Sequence, residues 1–167
     1  MRKFVFWGAV LVGLAFLVAG VAMIGLGWHT RGELVGDLLA EKLDVPDPAI
    51  LLTYEGARPP EGVEVPRVTI DTAQEAHNQA LVIRIHTLAS TGGLTYSEMG
   101  REDPGRELYI TSLTLQNSLH LAHVGLELTL FVMGVGLGFT GLGLAVLVLG
   151  LPMIRRIELL EMLDSEL

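Results

Sequence analysis

The stretch DPGRELYITSLTLQNSLHLAHVGLELTLFVMGVGLGFTGLGLAVLVLG, residues 103–150, decides the architecture. Asp103 is placed to cap a helix start, and Pro104 stands where a first-turn proline is tolerated, because its missing N–H would be unpaired there anyway. No further proline interrupts the pattern before Pro152. At about 1.5 Å per residue a helix over this stretch is roughly 70 Å long, while the hydrocarbon core of a bilayer takes up about 30 Å. One helix is therefore predicted that starts outside a membrane and ends by crossing it, with the span itself at residues 126–151.

Working outward, a second apolar run at the other end of the chain matches this span. After Arg2 and Lys3, residues 4–27 carry no charge, and Trp7 and Trp28 bracket them as indoles bracket a bilayer. A cleaved signal peptide is the competing interpretation, but its apolar region is usually about 7–15 residues and no small-x-small cleavage site stands near Trp28. An uncleaved anchor is expected. Arg2 and Lys3 before the first span, and Arg155 and Arg156 after the second, flank the same side of the membrane. The positive-inside rule then places both termini in the cytoplasm and residues 28–125 outside it.

Composition narrows the function classes. The chain has 167 residues, half of them hydrophobic, 20 glycines, no cysteine and a net charge of -8. Without cysteine there is no disulfide, thiolate nucleophile, iron–sulfur cluster or cysteine-based zinc site. The acidic balance and scattered bases argue against nucleic acid, which needs clustered Lys and Arg. No phosphate-binding Gly-x-x-x-x-Gly-Lys loop occurs, and Ser90, Ser97 and Ser118 lack the glycine-framed turn of a hydrolase nucleophile.

Between the spans, Thr30-Arg-Gly-Glu33 has the form of a capping box opening an amphipathic helix through Leu34, Leu38 and Leu43. Residues 46–66, rich in proline, read as an ordered loop with a strand or extended segment at residues 49–54; a flexible linker is the alternative. Thr72-x-x-Glu75 opens a further helix running to Ser90, stopped by Gly92 and Gly93, with Ala73, Ala76, Ala80, Ile83 and Thr87 along a narrow face. Thr95-Tyr-Ser-Glu98 caps one more turn. The tail, residues 152–167, spaces Ile154, Ile157, Leu160 and Leu163 as an acidic amphipathic segment. The fold class expected is an all-α membrane protein: two transmembrane helices, the second extended outward, and a small mostly helical extracytoplasmic domain between them.

Three groups of residues are candidates for function. Gly134, Gly138, Gly141 and Ala145 form a small-residue stripe on the second span, and Ala9, Gly13, Ala15 and Ala19 offer small surfaces on the first, for packing of the spans on each other or on copies. His120, His123 and Glu127 fall at i, i+3 and i+7 with Gln116 one turn earlier, a ligand set familiar from zinc, iron or copper sites; solvation at the membrane interface is the plainer account. His86, Thr95, Tyr96, Glu98, Asp103 and Pro104 make up a compact motif between two helices.

That last motif, His86-Thr-Leu-Ala-Ser-Thr-Gly-Gly-Leu-Thr-Tyr-Ser-Glu-Met-Gly-Arg-Glu-Asp-Pro-Gly-Arg106, resembles the centre of a family of small bacterial two-span membrane proteins. The shared order is a helix carrying His, a Thr-Gly turn, Thr-Tyr-x-Glu, then Asp-Pro opening the last helix, and the two-span layout extends the resemblance over most of the chain. The resemblance implies an architecture and a bacterial plasma-membrane location, with no established activity. Some members bear the label of aromatic ring-opening dioxygenases, a chemistry that needs an iron site, and this motif lacks the dense His and carboxylate cluster for one. A tight structural corner is its physical meaning, with a binding role for His86, Tyr96 and Glu98 as the other.

The function expected is a non-enzymatic accessory or assembly subunit of a larger membrane complex, without catalytic residues or cofactor. Its partners would be the lipid bilayer and other membrane subunits or copies of itself. The alternatives are a redox-associated subunit holding a metal, haem or quinone at the outer interface through His120, His123 and Glu127, and a homo-oligomeric pore.

Overall fold

The computed structural model describes residues 2–156. The amphipathic tail pattern through Ile157, Leu160 and Leu163 lies outside the described residues. The fold is mostly helical, with α1 at Arg2–Ala40, a short α2 at Pro48–Leu51, α3 at Ala73–Ser90 and α4 at Gly105–Ala145. A π-helical turn, Val146–Gly150, follows α4, and residues 151–156 continue helical. Two three-residue strands, β1 (Asp44–Pro46) and β2 (Arg67–Thr69), pair antiparallel with Val45 opposite Val68, a small addition to the mostly helical fold that the sequence predicts.

Two helices are long and apolar enough to cross a membrane, one within Phe4–Ala40 and one within Gly105–Arg156. Only 11% of each apolar window is buried within the chain, whereas the core helix of a water-soluble protein is mostly buried. The chain divides into two compact units, one formed by Met1–Thr30 with Thr129–Leu167 and the other by Arg31–Leu128.

In the first unit the α1 and α4 backbones meet at glycine. Gly13, Gly20 and Gly27 recur every seven residues on α1 and lie against α4 or the π turn that follows it: Gly13 on Leu147 of the turn, Gly20 on Gly136 and Gly27 on Met133 of α4. Gly136 and Gly143 supply the matching positions on α4, where an added methyl would stand 2.8 Å from the Gly20 carbonyl oxygen and 2.7 Å from that of Gly13. A seven-residue repeat keeps one seam in contact between slightly supercoiled helices. Phe16 and Phe139 close edge to face beside it, ring centroids 5.3 Å apart.

The predicted stripe is therefore not the contact between the spans. Gly134, Gly138 and Gly141 have open space where a side chain would point, and Ala145 is exposed. Two residues turn a helix by about 200°, so Gly134 and Gly136 occupy opposite faces. Every register of a glycine-rich helix offers some small-residue stripe, and the partner selects among them.

Two further expectations change at helix ends. α1 runs through Thr30 without a break, so Thr30-Arg-Gly-Glu33 is helix interior and opens no separate helix. A capping box forms only where the cap residue leaves helical geometry, and nothing between residues 27 and 31 forces that. At the other end the helix passes Pro152 instead of stopping there. Proline lacks an N–H and its ring collides with the preceding turn's carbonyl; the wider π turn at Val146–Gly150 makes room for it.

The second unit is built around α3. The expected capping box is present: Thr72 Oγ1 accepts from Glu75 N at 3.2 Å, and Glu75 Oε2 accepts from Thr72 N at 3.1 Å. Ala76 and Ala80 on one face of α3 pack with Ile70 and Leu119 as a core, with Leu43, Val45 and Val68 around it. On another face Val82 packs with Leu51 and Ala57. The proline-rich residues 46–66 are ordered by this second cluster. Where an extended segment at residues 49–54 was expected, Pro48–Leu51 is a single helical turn capped by Asp47, whose Oδ1 accepts from Ala49 N at 2.9 Å. The strands stand outside that segment, at its two flanks.

Candidate functional site

Three imidazoles meet where α3 packs on α4. The small residues Ala73, Ala76 and Ala80 let the two helices approach, and His77, one turn after Ala73, enters the contact from α3. Its ring centroid lies 5.7 Å from that of His120 and 5.0 Å from that of His123. His123 Nδ1 is 3.0 Å from the carbonyl oxygen of Ala73. That carbonyl only accepts, so Nδ1 carries the proton and Nε2 of a neutral His123 keeps its lone pair. Among the described residues His77 Nδ1 is buried without a hydrogen-bond partner.

The sequence-predicted ligand set does not assemble. Glu127 is exposed, while His120 and His123 turn toward α3 and Gln116 is buried one turn before them. Among the described residues no group of three His, Asp or Glu side chains is arranged to hold a metal ion. The i, i+3, i+7 spacing does put the three residues on one side of α4, but His123 already touches Ala73, the first residue of α3, and Glu127 stands one turn, about 6 Å, farther along the axis, past the start of α3. His77 was the residue missed. Its only sequence signal is a polar side chain inside the alanine face of α3.

The motif between α3 and α4 folds as a sequence of caps. Gly92 and Gly93 take φ values of 63° and 84°, which end α3 in left-handed backbone, and Gly93 N donates to the Leu88 carbonyl at 2.7 Å. Thr95 donates to Glu98 Oε2 twice, from its backbone N–H at 2.8 Å and from its hydroxyl at 2.6 Å. Those two bonds, the hydroxyl's first, lower the pKa of Glu98 below its ordinary value of 4.5. Asp103 Oδ1 accepts from Gly105 N at 2.8 Å and starts α4.

Arg106, which sequence reasoning left at the margin of the motif, closes the corner. Its Nη1 donates to the carbonyl oxygens of Tyr96 at 3.1 Å and Met99 at 2.9 Å, and its guanidinium lies 3.7 Å from the centre of the Tyr96 ring. His86 works away from the corner. Its Nε2–H donates to the carbonyl of Ala57 at 3.1 Å, pinning a buried residue whose φ of 52° is rare outside glycine. The side chains of His86, Glu98, Asp103 and Arg106 thus each hold backbone in place, and among the described residues no two motif side chains face each other as nucleophile and base.

A cavity of about 460 Å³ lies between the end of α1, α3 and α4. Its walls are chiefly aliphatic, among them Leu38, Ile83 and Leu119, with Glu41, Gln79 and Ser118 as polar points. Compared with protein-family models, with curated proteins and with solved structures, the chain matches none.

Proposed function

We propose that the protein is a non-enzymatic integral membrane subunit that assembles with other membrane chains. Both termini lie in the cytoplasm of a bacterial plasma membrane, and the unit Arg31–Leu128 lies outside. Arg2, Lys3, Arg155 and Arg156 support this orientation through the positive-inside rule.

One observation carries the reading. In the second unit Ile110, Leu113, Leu121 and Val124 of α4 remain exposed, Leu121 at 74%. This part of α4 runs beside the charged end of α1: Leu34 approaches Gly125, and Leu38 and Glu41 share the cavity wall with Leu115 and Leu119. Glu33 and Asp37 sit along that end of α1 and Glu41 follows it, a place for water rather than hydrocarbon. Large aliphatic side chains at that level are not covered by lipid, and each one buried against a partner contributes about 1.5–3 kcal/mol.

The test is isolation of the tagged full chain in a mild detergent. Partner chains in fixed ratio are expected, and they should be lost when Leu121 and Val124 are both changed to Glu. Recovery of a lone monomer from native membranes would overturn the reading.

A further inference from the structure

We infer that the exposed face of α4 is the seam of a parallel homodimer in which Asn117 of one copy meets Asn117 of the other. The inference rests on the assembly role proposed above and names the partner. Ile110, Leu113, Asn117, Leu121, Val124 and Leu128 follow one another in steps of three and four residues, the spacing of one face of a helix that packs along its length on another. All six are exposed, so nothing among the described residues occupies this face.

Asn117 points to the identity of the partner. It stands in the middle of a stripe whose other polar side chain, Thr114, already donates its hydroxyl to the Ile110 carbonyl, so Asn117 carries the amide that would be desolvated at a cost if left unpartnered. An amide carries both donors and an acceptor and is its own complement, and a single buried Asn fixes register and copy number in paired helices. Two copies in one membrane have the same orientation, so their α4 helices run parallel and equivalent residues face each other across a two-fold axis. A second copy therefore always presents an amide at the level of Asn117.

Charge favours the same face. The chain carries a net charge of -8, so two copies repel over most of their surface. Between Glu107 and Glu127, however, α4 has no Asp, Glu, Lys or Arg. Here two copies approach without opposing charges.

The absence of cysteine makes the test direct. Asn117→Cys, Val124→Cys and Ser118→Cys are introduced singly into the full chain, and native membranes are treated with a mild thiol oxidant. Ser118 is exposed but lies about 100° around the helix from Asn117. Asn117→Cys and Val124→Cys, the latter keeping the amide, should each give a reducible band of twice the chain mass, at least fivefold stronger than that from Ser118→Cys. Equal yields from all three would show random collision and overturn the dimer. An adduct with a chain of different mass would overturn the dimer and leave the assembly role standing. No adduct from either seam position would also overturn it, and the assembly role would still be decided by the co-purification above.

Discussion

Gly20 of α1 and Gly136 of α4 meet backbone to backbone, so closely that a methyl group on Gly136 would stand 2.8 Å from the carbonyl oxygen of Gly20. Neither atom belongs to a flexible side chain, so the strain of a substitution cannot relax locally. Gly136→Ala should cost about 1–3 kcal/mol, the usual range for overpacking. Gly134→Ala, which meets open space, should change stability by less than about 0.5 kcal/mol. Unfolding of the two variants in mixed micelles by added denaturing detergent provides the comparison, and equal losses would show that the seam is not where the glycines place it.

The Thr95–Glu98 cap gives the corner between α3 and α4 a dependence on acid. The folded state lowers the pKa of Glu98 below 4.5, so it favours the carboxylate over the acid. The resulting stabilisation is complete above the ordinary value and is lost as pH falls through the lowered one. The protection factor of the Thr95 amide, corrected for intrinsic exchange, should drop as the pH is taken down below 4.5. In Glu98→Gln it should already be low at neutral pH and stay flat; a drop of the same size in that variant would assign the effect to another group.

His77 separates packing from chemistry in the three-imidazole contact. His77→Phe keeps a ring between His120 and His123 and removes the nitrogen that lacks a hydrogen bond. Thermal stability should be unchanged or slightly raised, since an unsatisfied buried polar atom costs about 1–3 kcal/mol. His77→Ala should lose about 1–2 kcal/mol through lost contacts. A loss in His77→Phe as large as in His77→Ala would mean that the imidazole nitrogen has a partner or task of its own.

The orientation in the membrane is checked independently. A cysteine replacing Glu61 should react with a membrane-impermeant thiol reagent in intact cells, and one replacing Ser165 should react only after lysis. The reverse pattern would invert the topology while leaving the fold as described.

The sequence alone determined those features whose cause is local. Thr72 with Glu75, Thr95 with Glu98, Gly92 with Gly93 and Asp103 before Gly105 are all set by residues within a few positions of one another, where backbone groups are satisfied by near neighbours. The two apolar helices are equally legible, because length and hydropathy are properties of a single stretch. The helix break expected at Thr30 shows the limit even of local signals. A capping sequence permits a helix start and does not compel one.

Only the tertiary structure decided which of several equivalent faces is used. Gly136 and Gly143, rather than Gly134, Gly138 and Gly141, meet α1, because a helix rich in glycine has several small-residue stripes and the seven-residue repeat of Gly13, Gly20 and Gly27 selects one. His120 and His123 turn to His77, forty-odd positions away in the chain, instead of to Glu127 on their own helix. Spacing along a helix states which side chains share a side. What they touch is fixed by the element that packs there, and no single stretch of sequence contains both surfaces.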